Sequence, residues 1–174
     1  VNFAIPAGQA FGTGHHETTA GCLAMLDRMK RSGTVVRNCA DIGTGTGVLA
    51  FAALALWPRT LVTASDIDPV SATVTLENAA LNHIALGARG GEMAVTVAAG
   101  MDNPLIAVRA PYDLVIANIL AGPLVELIAQ ETQLPVRLEW APPIPVVVIG
   151  GDCTVGIGTV AGHSLVRFDL RTTV

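Results

Sequence analysis

The stretch Asp41-Ile42-Gly43-Thr44-Gly45-Thr46-Gly47 decides how this chain is read. Ahead of it, the run near Val35–Ile42 predicts a strand. Behind it, Val48–Trp57 is almost wholly apolar and predicts a helix that Pro58 stops. Three glycines at alternate positions join the two. Glycine lets the backbone turn tightly and come close to a ligand. The helix that follows offers N–H groups with no partner inside the helix. A plain turn needs glycine too, so the cluster alone does not separate a binding site from a connection.

Working outward, two more strands and their connections follow. Leu61–Ser65 predicts a strand, Asp66-Ile67-Asp68-Pro69 a turn, and the residues to about Asn82 a helix with Pro69 in its first turn. A third strand is expected near Met93–Ala98, a fourth at Asp113–Ala117, and a helix from about Leu120 to Gln130. Strands alternating with helices predict an α/β fold, a Rossmann-like doubly wound and mostly parallel sheet. Upstream lies a glycine-rich loop, Gly8 to Gly14. Thr18 or Thr19 then caps a helix carrying Leu23, Leu26 and Met29 on one side. The pattern degrades after Ala129. Leu134–Pro145 holds four prolines and reads as irregular, Val146–Ile149 as a fifth strand, and Leu165–Val174 as a last strand. Gly150–Gly162 is too glycine-rich for a stable helix, so the C-terminal part reads as atypical or incomplete. The organisation expected is a single domain: a loop and helix over 1–34, a ligand-binding core over 35–128 and a divergent tail over 129–174.

The bulk composition fits this reading. A length of 174 residues suits one domain. Hydrophobic residues make up 51% and charged residues only 14%, against roughly 25% in an average soluble domain. A sheet covered on both faces has apolar central strands and explains the shortfall. The net charge of −4 argues against direct nucleic-acid binding. Cys22, Cys39 and Cys153 form no closely spaced pair and read as buried free thiols in a reducing cytoplasm. His15-His16-Glu17 lacks the i, i+4 spacing of a helical zinc site, so no metal is expected. No run of about 18 apolar residues occurs, so no membrane span is expected. The start has neither a Met nor a basic n-region and reads as a chain cut from something longer. Oligomeric state is not legible.

The chemistry sits at the strand ends. Asp66 follows Gly43 by 23 positions and closes the second apolar run. In doubly wound folds an acidic residue about 20 positions on accepts ribose hydroxyls. Asp68 competes for that role, but it precedes Pro69 and suits a helix cap. A dinucleotide site has the spacing Gly-x-Gly-x-x-Gly, whereas Gly43, Gly45 and Gly47 are spaced Gly-x-Gly-x-Gly. Asp41 would repel a pyrophosphate and suits the ammonium and sulfonium charges of S-adenosyl-L-methionine. There is no Gly-Lys-Ser/Thr phosphate loop. Asn118, in Asn118-Ile119-Leu120-Ala121 at the end of the fourth strand, is placed to orient a nitrogen nucleophile or, more plainly, to form a turn.

Taken in order, Ala10-Phe11-Gly12-Thr13-Gly14-His15-His16-Glu17-Thr18-Thr19, Asp41 to Gly47, Asp66-Ile67-Asp68-Pro69 and Asn118-Ile119-Leu120-Ala121-Gly122-Pro123-Leu124 resemble the PrmA family. Its members methylate large-subunit ribosomal protein eleven. The Ala-Phe-Gly-Thr-Gly-x-His loop followed by Thr-Thr is particular to that family, while the glycine motif is shared by all class I methyltransferases. The resemblance covers roughly residues 3 to 128. It implies cofactor contacts at Thr19, Gly43, Asp66 and Asn118, with Phe11, Gly12, Thr13 and Gly14 lying over the cofactor. It also implies a cytoplasmic enzyme that methylates lysine and N-terminal amines of its ribosomal partner. The family carries a substrate-recognition domain ahead of the loop, and the sequence reads as a chain without it. From about Ala129 it also departs from the family's fifth strand, long helix and final hairpin, by divergence or by a changed reading frame. The rival readings are a class I methyltransferase with another acceptor, a non-catalytic cofactor-binding fragment and, more distantly, a nicotinamide-dependent oxidoreductase.

Overall fold

A computed structural model describes residues 2–6, 17–119, 144–150, 154–160 and 166–169. The strands are β1 (Asn38–Ile42), β2 (Leu61–Asp66), β3 (Met93–Val97), β4 (Leu114–Ala117), β5 (Ile144–Gly150), β6 (Thr154–Val160) and β7 (Val166–Asp169). They form one sheet in the order β3-β2-β1-β4-β5-β6-β7. The first five are parallel to one another, and β6 and β7 are antiparallel additions at the far edge. The helices are α1 (Glu17–Arg31), α2 (Val48–Leu56), α3 (Pro69–Leu81) and α4 (Pro104–Arg109). The doubly wound fold expected from the strand–helix alternation is present, with β1 at the centre between β2 and β4. Strand order reverses there, and that is where open α/β sheets leave a crevice at the carboxyl ends of the strands.

Alternation along β1 explains the two cores. Cys39 faces one layer, with Leu26 of α1, Phe51 of α2, Val62 and Leu114. Ala40 and Ile42 face the other, with Ile106 of α4, Tyr112 and Val115. Strands buried on both faces need the near-continuous apolar composition seen here. Asp41, between Ala40 and Ile42, therefore lies on the α2 side, where the pleat demands an apolar residue. Its carboxylate is explained below.

The observed bounds differ from the expected ones for local reasons. The ladder of β1 begins at Asn38 rather than Val35. The Asp113 carboxylate accepts from the N–H groups of Arg37 (2.8 Å) and Asn38 (3.0 Å), taking them at the point where the ladder starts. Helix α4 was not expected. Asn103 caps it by accepting from the N–H of Leu105 at 2.8 Å, and Pro104 opens it. Ile144 and Pro145, expected in an irregular stretch, belong to β5. Pro145 costs the sheet little because pairing with β4 begins one residue later, at Val146. The glycine-rich stretch expected to form no helix contains β6, and only residues 151–153 separate β6 from β5. The helix expected from about Leu120 to Gln130 lies outside the described residues. Among the described residues no helix is long and apolar enough to cross a membrane.

Two glycines with left-handed backbone conformations separate backbone strain from crowding. Gly33 (φ 84°) ends α1 in open space, whereas a Cβ on Gly47 (φ 86°) would lie 2.6 Å from Cζ of Phe51 and 3.0 Å from Cγ2 of Thr75. Gly33→Ala is expected to cost about 1 kcal/mol, the backbone penalty alone. Gly47→Ala is expected to cost at least about 1 kcal/mol more, because a close-packed neighbour must also move. Urea melts of the two variants measure the difference, and equal costs would show that the Phe51 contact is soft.

Candidate active site at the switch point

The turn between β1 and α2 is built from hydrogen bonds that use nearly every polar group nearby. The N–H groups of Gly43 and Thr44 both donate to the carbonyl of Ser65 at the end of β2, at 2.8 and 2.9 Å. The Thr44 hydroxyl donates to Oδ2 of Asp41 at 2.8 Å, and the N–H of Ala50, in the first turn of α2, donates to the same oxygen at 3.1 Å. Asp41 thus ties the turn to the start of the helix. Gly43, Gly45 and Gly47 all have positive φ, at 72°, 56° and 86°. That region favours glycine strongly over other residues and explains the alternate spacing.

Asp66 stands across the turn. One of its oxygens accepts from the N–H of Gly45 at 2.9 Å, and the other from the N–H of Asp68 at 3.0 Å. A carboxylate has about four acceptor sites, so each oxygen keeps capacity for another donor. Asp68 is the N-cap of α3, accepting from Val70 at 2.9 Å, as expected for a residue ahead of Pro69.

Asp41 is buried, and its Oδ1 has no hydrogen-bond partner among the described residues. Burial pushes its pKa from the usual 3.8 up to about 6. The bonds from Thr44 and Ala50 pull it down, and the nearby Asp66 charge pushes it up. An unpaired buried carboxylate oxygen is costly unless a donor or a cation meets it. The thiols of Cys22 and Cys39 are buried and free, and burial pushes both pKa values upward. They are not poised as nucleophiles; Cys153 lies outside the described residues.

The remaining expected residues form a second group. Asn118, just beyond β4, donates from its amide nitrogen to the hydroxyl of Thr19 on α1, at 3.2 Å and across 99 positions of sequence. Ile119 connects the two groups, because a Cβ on Gly43 would run into its side chain. The structure therefore brings together Asp41, Gly43, Gly45, Gly47 and Asp66, and beside them Thr19 and Asn118. Phe11, Gly12, Thr13 and Gly14 lie outside the described residues. Three participants escaped the sequence reading: Thr44, and Thr75 and Asn78 on α3. The hydroxyl of Thr75 donates to the carbonyl of Gly45, and the amide of Asn78 to the carbonyl of Thr46, both at 2.9 Å. Their signal was a polar stripe, Ser71, Thr75, Asn78 and Asn82, at helical spacing.

The family model described as "Ribosomal protein L11 methyltransferase (PrmA)" matches residues 1–137. The chain belongs to that family. It is 48% identical over 126 residues to a ribosomal protein L11 methyltransferase of Agrobacterium fabrum, covering 72% of this chain and 41% of that protein. The Rhizobium meliloti protein of the same name is similar to the same extent. This chain thus spans about two fifths of the length of the curated relatives it matches. Among solved structures, ribosomal protein L11 methylase from Lactobacillus delbrueckii subsp. bulgaricus is 36% identical with a TM-score of 0.53, over 72% of this chain and 57% of that one. A precorrin-6y C5,15-methyltransferase from Geobacter metallireducens shares the fold, with 18% identity and a TM-score of 0.53, over 86% of this chain and 69% of that one.

Asp41 yields a stability prediction. A carboxyl whose pKa is higher folded than unfolded binds its proton more tightly when folded. Ionising it therefore costs stability as pH rises from about 4 through about 6. Asp41→Asn keeps an oxygen for Thr44 and Ala50 and removes the buried charge. It is expected to raise the ligand-free stability at pH 7 by about 1–3 kcal/mol and to flatten the pH dependence in that window. Thermal melts from pH 4 to 7 test this; a variant less stable than wild type at pH 7 would contradict it.

Proposed function

We propose that residues 1–174 form one methyltransferase catalytic domain that binds S-adenosyl-L-methionine at the β1–α2 turn. We further propose that it serves methylation of lysine and N-terminal amines of large-subunit ribosomal protein eleven, in the cytoplasm. The observation that carries the reading is the pair of carboxylates, Asp41 and Asp66, on either side of a positive-φ glycine turn at the switch point of the sheet. Family membership supports the reaction class.

The residues present fit the cofactor. Asp66 has acceptor capacity left for two ribose hydroxyls after its bonds to Gly45 and Asp68. The buried, unpaired Oδ1 of Asp41 suits the ammonium of the amino-acid end, directly or through water, and disfavours a pyrophosphate. Gly43, Gly45 and Gly47 allow the backbone to come close to the ligand. Thr19 and the residues Phe11, Gly12, Thr13 and Gly14 complete its enclosure in this reading. When bound, S-adenosylmethionine supplies a methyl group already activated for displacement.

The protein's contribution is then mainly position. Asn118 is the residue proposed to meet the acceptor. Its amide nitrogen is engaged by Thr19, which turns the amide into a fixed orienting group and leaves its oxygen to accept from an incoming amine. The amine must arrive neutral to expose its lone pair, and removal from water lowers an ammonium pKa.

Calorimetry with S-adenosylmethionine, S-adenosylhomocysteine and NAD tests the cofactor. Binding of the first two and not of NAD is expected, with Asp66→Ala weakening it by about 1–3 kcal/mol. Folded protein that binds NAD and neither of the others would overturn the reading. The acceptor role is tested in a full-length relative by substituting Ala for the Asn of its Asn-Ile-Leu-Ala motif. Methyl transfer to ribosomal protein eleven should slow by a larger factor than cofactor affinity falls. Equal losses would reduce the Asn to a cofactor contact.

A further inference from the structure

The polar stripe of α3 has no role in the cofactor contacts described above. Thr75 and Asn78 are both buried in the interior of the helix. Neither is a good helix former, and a buried side-chain amide is costly unless it is bonded. A helical threonine commonly satisfies its hydroxyl by donating back to the carbonyl four residues earlier. Thr73 does this, donating to Pro69 at 3.0 Å. Thr75 instead reaches 30 positions back to the carbonyl of Gly45, and Asn78 reaches 32 positions back to that of Thr46. Ala or Leu at either position would suit the helix alone better.

The two bonds act on the softest backbone in the site. Gly45 has positive φ and lies between two other positive-φ glycines, so little in its own chemistry fixes its peptide planes. Its N–H is held by Asp66 and its C=O by Thr75. Each peptide unit is planar, so a bond to its C=O or N–H limits how the whole plane can turn, and these two bonds act on the planes either side of Gly45. The next plane is held in the same way, by Asn78 on the carbonyl of Thr46 and by the N–H of Gly47 donating to Thr44 at 2.9 Å.

We propose that Thr75 and Asn78 are positioning residues, which hold the planes around Gly45 and Thr46 so that the Gly45 N–H aims the Asp66 carboxylate at the ligand's ribose. The inference rests on the cofactor reading above. Release of the Gly45 carbonyl frees the plane between Gly45 and Thr46 to turn, and the Gly45 N–H in the adjoining plane then holds Asp66 less firmly.

Thr75→Val removes the hydroxyl at nearly constant shape, Thr75→Ser keeps it, and Asn78→Ala removes the other donor while favouring the helix. The probe is S-adenosylhomocysteine, titrated calorimetrically into the full chain. Thr75→Val and Asn78→Ala are each expected to weaken binding about fivefold, the factor one hydrogen bond is worth, with Thr75→Ser within about twofold of wild type. In an Asp66→Ala background the Thr75→Val loss should shrink below about twofold, because the group being aimed is gone. Loss of overall stability would weaken both backgrounds alike. The ligand-free chain offers a second reading: amide exchange at Gly45 should quicken in Thr75→Val more than at residues of β1. Equal losses in the two backgrounds, unchanged affinity in Thr75→Val, or unchanged Gly45 exchange would overturn the proposal. Failure of wild type to bind S-adenosylhomocysteine would instead sink the cofactor reading itself.

Discussion

One oxygen of the Asp41 carboxylate accepts two hydrogen bonds, from the Thr44 hydroxyl and the Ala50 N–H, and the rest of the site depends on that attachment. It joins the end of β1 to the start of α2 across a turn whose glycines would otherwise be free to choose among conformations. Burial makes the ionised carboxylate expensive and pushes its pKa up. Its other oxygen is unpaired among the described residues, which is costly unless a donor or a cation meets it. The surrounding layer is apolar, and an uncharged residue would pack there at less cost.

Around this attachment the molecule is arranged in rings. The inner ring is the turn with Asp41, Asp66 and the Ser65 carbonyl, all delivered by the carboxyl ends of β1 and β2. Outside it α3 supplies Thr75 and Asn78. Farther out, the Asn82 amide donates to the carbonyls of Asn78 (2.8 Å) and Ala4 (2.9 Å), and its oxygen accepts from the N–H of Ala4 at 2.7 Å. The ring of Phe3 packs on Phe51 with centroids 5.8 Å apart. The N-terminal segment is thus fastened to the two helices that frame the turn.

Much of this was legible because it rests on short-range rules. Gly-x-Gly-x-Gly between two apolar runs marks a strand–turn–helix unit, and the structure places β1 and α2 on either side of it. Asp66 and Asp68 were separable because a residue before Pro69 has a local use as a cap, and Asp68 serves as one. The carboxylate at Asp41 was legible from its place two residues ahead of the first glycine. What escaped was set by contacts between distant parts of the chain. Thr75 and Asn78 look like ordinary helix residues until the turn, some 30 positions away, is placed against them. The Thr19–Asn118 bond spans 99 positions and has no local signature. Helix α4 is a different kind of miss: Asn103-Pro104 is a local start signal, but the helix is only six residues long, too short for periodicity to register. The first strand was drawn too long because nothing local shows that Asp113 takes the N–H groups of Arg37 and Asn38.

Asp41 is proposed to be a buried carboxylate that meets a cationic ligand, and its own titration tests this most directly. Carbon-detected NMR of the Asp41 side chain, followed from pH 3 to 8, reads its ionisation without relying on activity. Ligand-free protein should titrate near 6, as burial dictates. With saturating S-adenosylmethionine the midpoint should fall, because a nearby positive charge favours the ionised form. A midpoint already in the ordinary aspartate range, or one that the ligand leaves in place, would contradict the account.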